Sequence, residues 1–533
     1  CSRDWSSDVC SSDLAARGAN NGTSWTDAYT RLEDGVAAVG GSCSEVWVAE
    51  GTYTNTGAAY PRRNQGIYGG FAGVETAFEQ RDWAAHPTIV AGADSQPIFQ
   101  INNRNNSTVV DGFILRGGYS RGAIVNATGA ATVRNCAFDG CAGWAINNDH
   151  YSGLIANCVF TNGQDTAIWD WDSAPFIRNC RFLNNHTRYY GAALFAERSR
   201  PTVTDCIFSN NAADWSGGAI YSDRGGLTVD RCVFYGNSGG AIDFQSGEFA
   251  CSIRNSLFRA NNGWNGAAID HFGNTLQVVN CTLVENQSRS RGGAIVHDGA
   301  GGLVANSILW GNTSSEAAAY RLTPEQAQLL LWSGTITVSN CLIQGLQSFK
   351  GQGNLGYDPL FVRSAGDYHL MDCSPALGAG NPGLLAEATT DLEGNPRTRS
   401  EGRGSGLDLG AYQFQGAPAE AVELYEAPQS VTVCASAWAP TAMFSATLDM
   451  DLSGSAWLVK TNSGGFVPAT DAALFQCSIS GESVQVTSLR VLLVTPDMDG
   501  WQFALQIGPY TTPAAALAVP PPTVWYVDSR ASG

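Results

Sequence analysis

Between Ala123 and Ile343 one short phrase recurs, a Gly-Ala-Ile-type step followed by Asn-Cys-x-Phe, and its spacing limits the chain to very few architectures. The alanine falls at Ala123, Ala145, Ala167, Ala193, Ala219, Ala241, Ala268 and Ala294, at intervals of 22, 22, 26, 26, 22, 27 and 26 residues. A spacing this constant makes each unit meet the same neighbours as the last, which is the signature of a solenoid.

The second element stays in phase. It reads Asn135-Cys136-Ala137-Phe138, Asn157-Cys158-Val159-Phe160, Asn179-Cys180-Arg181-Phe182, Asp205-Cys206-Ile207-Phe208 and Arg231-Cys232-Val233-Phe234, then loosens through Asn255-Ser256, Asn280-Cys281, Asn306-Ser307 and Asn340-Cys341. Apolar side chains alternate with tolerant ones in Leu227-Thr228-Val229-Asp230 and Cys232-Val233-Phe234, as in strands with one buried face. Three short strands and three turns fit one repeat, the size of one rung of a parallel β-helix. Equivalent residues then stack about 4.8 Å apart, so Cys, Phe and Ile form ladders. From Phe182 onward an Asn follows three residues after the apolar one, at Asn185, Asn211, Asn237, Asn261, Asn286 and Asn312. Asn tolerates left-handed backbone angles, and these residues are expected at a tight corner.

The blocks Gly217-Gly218-Ala219-Ile220, Gly239-Gly240-Ala241-Ile242 and Gly292-Gly293-Ala294-Ile295, with Phe182/Asn185, Phe208/Asn211, Phe234/Asn237 and Phe258/Asn261, resemble the repeats of bacterial polymorphic outer-membrane proteins. The resemblance spans roughly residues 110–345 and implies a right-handed, pectin-lyase-like solenoid; such repeats serve adhesins, passengers and enzymes alike.

Composition narrows the partners. A net charge of −18 with two lysines, Lys350 and Lys460, repels phosphate backbones, so no nucleic acid is expected. Sixty-one glycines and 15% charged residues fit an all-β secreted protein. Of fifteen cysteines, Cys136, Cys158, Cys180, Cys206, Cys232, Cys281 and Cys341 hold one rung position. Their side chains run parallel, whereas a disulfide needs converging Cβ atoms, so they read as small buried hydrophobes. No Cys-x-x-Cys pair suggests a metal, and no cofactor is expected. No apolar run is long enough for a transmembrane helix.

The ends are read separately. Residues 1–14, CSRDWSSDVCSSDL, follow no later period, resemble a translated sequencing adapter, and are set aside from the fold. Residues 15–414 are assigned to the β-helix with its caps. Trp25, Tyr29, Leu32, Val36 and Val39 predict an amphipathic helix over 24–39 that covers the first rung, and Glu45 opens a strand. Thr323-Pro324-Glu325-Gln326 predicts a second helix start, with 329–332 as its apolar side.

Residues 354–361, then Asp367-Tyr368-His369-Leu370, Ser374-Pro375-Ala376, 391–397 and Asp408-Leu409-Gly410-Ala411-Tyr412, resemble the choice-of-anchor Q region that ends β-helix domains of bacterial surface proteins. It is expected to cap the last rung, and Asp358, Asp391 and Asp408 are read as structural. Short strands over 418–519, with Trp457 and Met498-Asp499-Gly500-Trp501-Gln502-Phe503, resemble an immunoglobulin-like β-sandwich. Phe503 stands in place of the corner Tyr and Leu505 where a second Cys belongs, so Cys434 lacks its usual partner, with Cys477 a candidate substitute. Residues 520–533 read as a stiff Pro520-Pro521-Pro522 linker and the start of another β-helix, so the chain is expected to be a piece of a tandem array.

Chemistry is sought in the variable residues. Stacked rungs would place paired groups at one offset, and after the repeat alanines these are Asp149 and His150, Trp171 and Asp172, Glu197, Asp223 and Arg224, with Asp170, Asp243 and Asp270 close by. Trp169 and Tyr221, two residues after their alanines, are expected to face out and stack on sugars. Asp170 and Asp172 are expected on one side of their strand. Polysaccharide hydrolysis needs two carboxylates and lyase chemistry a base opposite a cation, but no Gly-His-Gly, Asn-Thr-Asp or Arg-Ile-Lys motif is present. The chain therefore reads as a non-catalytic, extracellular or cell-surface bacterial stalk that contacts an extracellular polysaccharide or cell-surface glycan. The alternative is a polysaccharide lyase or glycoside hydrolase with a divergent site on the same face.

Overall fold

The computed structural model describes residues 9–415, apart from 39–43, 93–95, 103–106, 119–121, 321, 363–365, 372–373, 385–389 and 398–405, together with the backbone of short strands between 442 and 516. Contacts divide the chain into two units, Cys1–Tyr357 with Gly378–Gln413, and Asp358–Leu377 with Phe414–Gly533.

The first unit is a parallel β-helix. In one rung, Ile168–Trp171 lies on the first face, Phe176–Arg178 on the second and Arg181–Leu183 on the third. Each pairs in register with its counterpart a repeat later, Ile168 with Leu194, Phe176 with Thr202 and Phe182 with Phe208. Among the described residues the third face carries twelve strands, from Gly51–Thr54 to Leu342–Ile343.

The repeated phrase builds the interior. Phe138, Phe160, Phe182, Phe208, Phe234 and Phe258 are buried, with successive centroids 4.6–4.7 Å apart and planes within 6°. That spacing is the distance between hydrogen-bonded strands, so backbone pairing and ring stacking reinforce each other. The seven phrase cysteines are free and buried, as are Cys141 and Cys251. Each phrase thiol donates weakly to a carbonyl two residues back, as in Cys206 Sγ to Thr204 O at 3.1 Å.

The corner is built differently from the expectation. The left-handed residue is the one before the cysteine or serine, at Asn135, Asn157, Asn179, Asp205, Arg231, Asn255, Asn280, Asn306 and Asn340, with φ of 47–55°. Asn and Asp tolerate that region, which explains their recurrence; the exception, Arg231, is held by carboxylates of Asp205 and Asp230. The ladder from Asn185 to Asn312 is instead buried and has ordinary backbone angles. Asn211 Nδ2 donates to Asn237 Oδ1 at 3.0 Å and to Phe182 O at 2.9 Å, and Asn237 Oδ1 also accepts the Asn211 amide at 3.0 Å. The neighbouring Asn184, Asn210, Ala260 and Glu285 take the positive φ.

The ends show further corrections. Val9–Ser12, inside the segment set aside on sequence, forms a buried strand parallel to Glu45–Ala49, and Cys10 is disulfide-bonded. Its hydroxyls are satisfied, Ser11 by Gly22 and Ser24 carbonyls and Ser12 by Tyr29 O. The first helix is limited to Leu32–Ala38, because Ser24 and Asp27 close a turn and Trp25 bonds Glu75 O. The second, Pro324–Gln328, has the expected capping box between Thr323 and Gln326. Its expected apolar side is a strand, Leu329–Ser333, paired with Ile295–Ala305, where β-pairing satisfies the backbone of an apolar run that five helical residues cannot cover. Gln328 then closes the asparagine ladder by accepting from Asn312 Nδ2 at 2.7 Å.

Gly378–Gln413 runs as a strap along the left-handed corner instead of across the last rung. Asn306 Nδ2 donates to Asn381 O, Asn340 Nδ2 to Ala379 O, and the buried Arg397 reaches Asn255 Oδ1, Gly410 O and Ala411 O at 2.8–2.9 Å. The side-chain amides of Asn255, Asn306 and Asn340 give the corner a row of donors and acceptors, which suits a strap. Asp391 and Asp408 accept backbone amides within it, the structural role expected of them.

In the second unit two antiparallel sheets are described, Ala442–Leu448 with Gln485–Val491 and Phe475–Ser480, and Ser455–Lys460 with Gln502–Ile507 and shorter strands. Cys434, the 520–533 linker and most of 1–14 lie outside the described residues. Among the described residues no helix is long and apolar enough to cross a membrane, which says nothing of a β-barrel.

Candidate functional site

On the first face alternate residues point outward, and the even offset decides which. In Ile168–Trp171, Ile168 and Asp170 are buried inside while Trp169 and Trp171 are partly exposed. Register extends this to two outer columns. One is Asn147, Trp169, Phe195, Tyr221, Asp243 and Asp270; the other is Asp149, Trp171, Glu197, Asp223, Gln245 and Phe272.

Eleven of the twelve candidates thus gather on one outer face and its corner, and Asp170 does not. It is fully buried in an interior ladder, where Asn126 Nδ2 donates to Asn148 and Asn148 Nδ2 to Asp170 Oδ1 at 2.6 Å. Its Oδ2 has no partner, and burial raises its pKa to about 7 against the pull of Asn148. Asp172 lies past the strand, at φ 46°, on the corner.

The corner is a charge ladder. His150 Nδ1 lies 2.5 Å from Asp149, Arg198 lies 3.4 Å from Asp172 and its guanidinium 5.6 Å from the Trp171 ring centre. Arg224 bridges Asp223 and Glu197, which raise its pKa. His150, Arg198 and Arg224 all adopt positive φ, so a costly backbone angle falls on exposed charged residues.

The aromatic column stacks on itself. Trp144, Trp169, Phe195 and Tyr221 lie 4.2–5.4 Å apart, and Tyr190 stacks on Tyr221 at 4.4 Å. Ring faces spent on one another leave mainly edges to solvent, so Trp169 and Tyr221 are supports and not stacking surfaces. Open faces belong to a ridge beside them, Tyr189, Trp215 and Trp264, which are 59%, 59% and 62% exposed. Trp215 meets Tyr189 and Tyr190 edge-on at 5.4 and 5.1 Å and is braced by them. The sequence reading missed this ridge, although its signal exists: all three stand four residues before a repeat alanine.

Beyond Tyr221 the column turns acidic. Asp243 and Asp270 are register partners on adjacent rungs and 4% and 9% exposed. Ser216 Oγ and Gln245 Nε2 donate to Asp243. Burial raises the pKa of both, with Asp223 adding to the first and Asp243 to the second. Among the described residues no group of three or more His, Cys, Asp or Glu is placed to hold a metal. An open depression of about 370 Å³ on earlier rungs, lined by Tyr60, Arg62, Arg63 and Gln100 among others, includes none of the candidates.

Comparison with known proteins bears on the scaffold. No curated protein matches the chain. Among solved structures it is similar to the catalytic unit of a thermostable GH87 alpha-1,3-glucanase from Streptomyces thermodiastaticus, at 15% identity and a TM-score of 0.33 over 63% of this chain and 70% of that one. It is also similar to a tailspike protein of Acinetobacter baumannii bacteriophage Fri1, a capsular polysaccharide depolymerase, at 10% identity and a TM-score of 0.22 over 87% and 82%. The family described as a right-handed β-helix region matches residues 121–313. Joined to the in-register stacking of its rungs, that match makes the first unit a right-handed parallel β-helix.

Proposed function

We propose that this is a non-catalytic, secreted or cell-surface stalk that contacts an extracellular or cell-surface glycan along the outer first face. The observation that carries the reading is the ridge of Tyr189, Trp215 and Trp264, large exposed rings in the turns that enter the first face, whose strands end in a row of carboxylates and arginines. Sugars present apolar CH faces and a rim of hydroxyls, and such a surface answers both. Tyr189 and Tyr190 brace Trp215, so little of its side-chain freedom is lost on binding. The polymorphic outer-membrane protein resemblance, the choice-of-anchor Q resemblance of the strap and the immunoglobulin-like reading of the second unit belong to the same proposal and support a surface location.

The alternative of a polysaccharide lyase or hydrolase is favoured by one observation, the raised Asp243 and Asp270 carboxyls, since a general acid needs such a shift. Purified protein incubated with a polysaccharide panel, with and without calcium, separates the readings. Binding without new reducing ends or unsaturated products is expected, weakened roughly tenfold or more by Trp215→Ala with Trp264→Ala. Product release would overturn the non-catalytic reading.

A further inference from the structure

The early rungs carry a basic depression, in a chain whose net charge is −18. Its volume of about 370 Å³ falls in the range of small-ligand sites, and its lining, Tyr60, Pro61, Arg62, Arg63, Gln100 and Asn102, holds no carboxylate. Gln100 places it on the first face. Register runs from Gln100 through Val125, Asn147 and Trp169 to Phe195, so the depression meets the outer column four rungs before Phe195, about 19 Å along the axis. The loop that brings the arginines is anchored on both sides. Gln100 N donates to Ala59 O and Thr108 Oγ1 to Arg62 O, both at 2.9 Å, while the buried Gln65 accepts the Arg62 amide at 2.8 Å and donates to Val36 O at 3.3 Å. Arg62 and Arg63 are exposed, and among the described residues neither meets a carboxylate. Arg63 makes no side-chain hydrogen bond there, and Arg62 Nη2 makes one long one, to Ala37 O at 3.5 Å. By contrast Arg116, Arg134, Arg198, Arg224 and Arg231 all pair with carboxylates.

Two neighbouring guanidinium groups without a counter-ion, held in a concave site, favour an anion, and their planar forks match a carboxylate. The rest of the lining suits a sugar ring. Tyr60 is 56% exposed and offers an apolar ring face. Gln100 Nε2 donates to Asn102 Oδ1 at 3.3 Å, which leaves an acceptor on Gln100 and a donor on Asn102 for hydroxyls. We propose that the depression is a subsite for the carboxylate of an acidic sugar, a uronate carried by the glycan that the first face contacts. This rests on the glycan-contact reading and adds a ligand class to it. The acidic column does not oppose such a ligand: its first carboxylate, Asp149, stands two rungs beyond Gln100, about 10 Å away along the axis, past the physiological screening length of about 8 Å.

The test compares a neutral oligosaccharide, the same chain carrying a uronate, and an acidic peptide, each bound to the whole chain and to Arg62→Gln with Arg63→Gln. Both positions are exposed, so the variant should keep the native melting temperature. The native protein should bind the uronate chain roughly tenfold or more tighter than the neutral one, the size of a hydrogen bond to a charged group. That preference should shrink as ionic strength rises and vanish in the arginine variant, with neutral-chain binding unchanged. Trp215→Ala with Trp264→Ala should weaken both chains and keep their ratio. Equal binding of the two chains by the native protein, or a preference that survives loss of both arginines, would overturn the subsite while leaving the glycan reading intact. Stronger binding of the acidic peptide than of the uronate chain, lost in the arginine variant, would overturn the sugar assignment in favour of a protein partner. If no oligosaccharide binds, the glycan reading falls, and free glucuronate decides the subsite by itself: saturable shifts of the Arg62 and Arg63 side-chain NMR signals that glucose does not cause support it, and their absence refutes it.

Discussion

Asp170 shows how a single residue can be placed on the wrong side by an otherwise sound pattern. Its neighbours Trp169 and Trp171 are outward, so period two puts it inside, where it continues the Asn126 and Asn148 ladder. Grouping it with Asp172 overlooked that Asp172 sits past the strand end at positive φ. The interior placement has a measurable consequence. A carboxyl at about 7 in the fold against 3.8 otherwise contributes its stability fully below about 3.8 and loses it as pH rises through about 7. Asp170→Asn should therefore be more stable than the native protein at pH about 8 and gain nothing at pH about 4; a stability difference that does not change with pH in thermal melts would contradict the buried acid. Two rungs of histidine give the opposite slope. His271 and His297 stack in the core with ring centres 5.0 Å apart and Nδ1 atoms 3.1 Å apart, and burial lowers both, His271 to about 3. A depressed histidine contributes its stability above its unfolded value of 6.5 and loses it as pH falls. Replacing both by Phe, as Phe244 already stacks at 5.2 Å below them, should flatten the acid limb by about 1.4 kcal/mol per pH unit per titrating ring.

At the scale of the element, the asparagine ladder carries the turn that follows the third face. Its three-residue offset from the apolar position was visible in the sequence, but its job was not. The same residue type satisfies two demands here, left-handed backbone at the Asn-Cys corner and buried amide pairing at the ladder, and composition alone cannot separate them. Asn237→Ala would remove the acceptor of the Asn211 backbone amide and of one Asn211 Nδ2 hydrogen, and the side-chain donor to the Phe208 carbonyl. At about 1–3 kcal/mol for each buried group left unsatisfied, urea unfolding should shift to a clearly lower midpoint; Asn210→Gly, at the positive-φ site beside Asn211, should be tolerated because Gly accepts that angle. The strap illustrates what no local pattern could supply. Arg397 meets Asn255 from 142 residues away, and nothing in either segment announces the other.

Across the whole molecule, the repeat faces inward along the strands, while the exposed ridge of Tyr189, Trp215 and Trp264 stands in the turns that lead into the first face. The repeat spacing, the three faces and the Phe and Cys ladders were legible because stacking forces one residue type to recur at one spacing. The outer columns were legible as a set, since alternation decides them once the inward Ile is known. The ridge was not noticed, because Tyr189, Trp215 and Trp264 skip the intervening rung at 241 and lie in turns whose length varies. Core and surface should accordingly separate under mutation. The decisive comparison is glycan binding and thermal stability measured side by side for Trp215→Ala with Trp264→Ala and for Phe208→Ala. The ridge variant should lose binding and keep its melting temperature, while Phe208→Ala should lose about 3–5 kcal/mol of stability and still bind below its melt. Undiminished glycan binding by the ridge variant would contradict the assignment of recognition to the outer face.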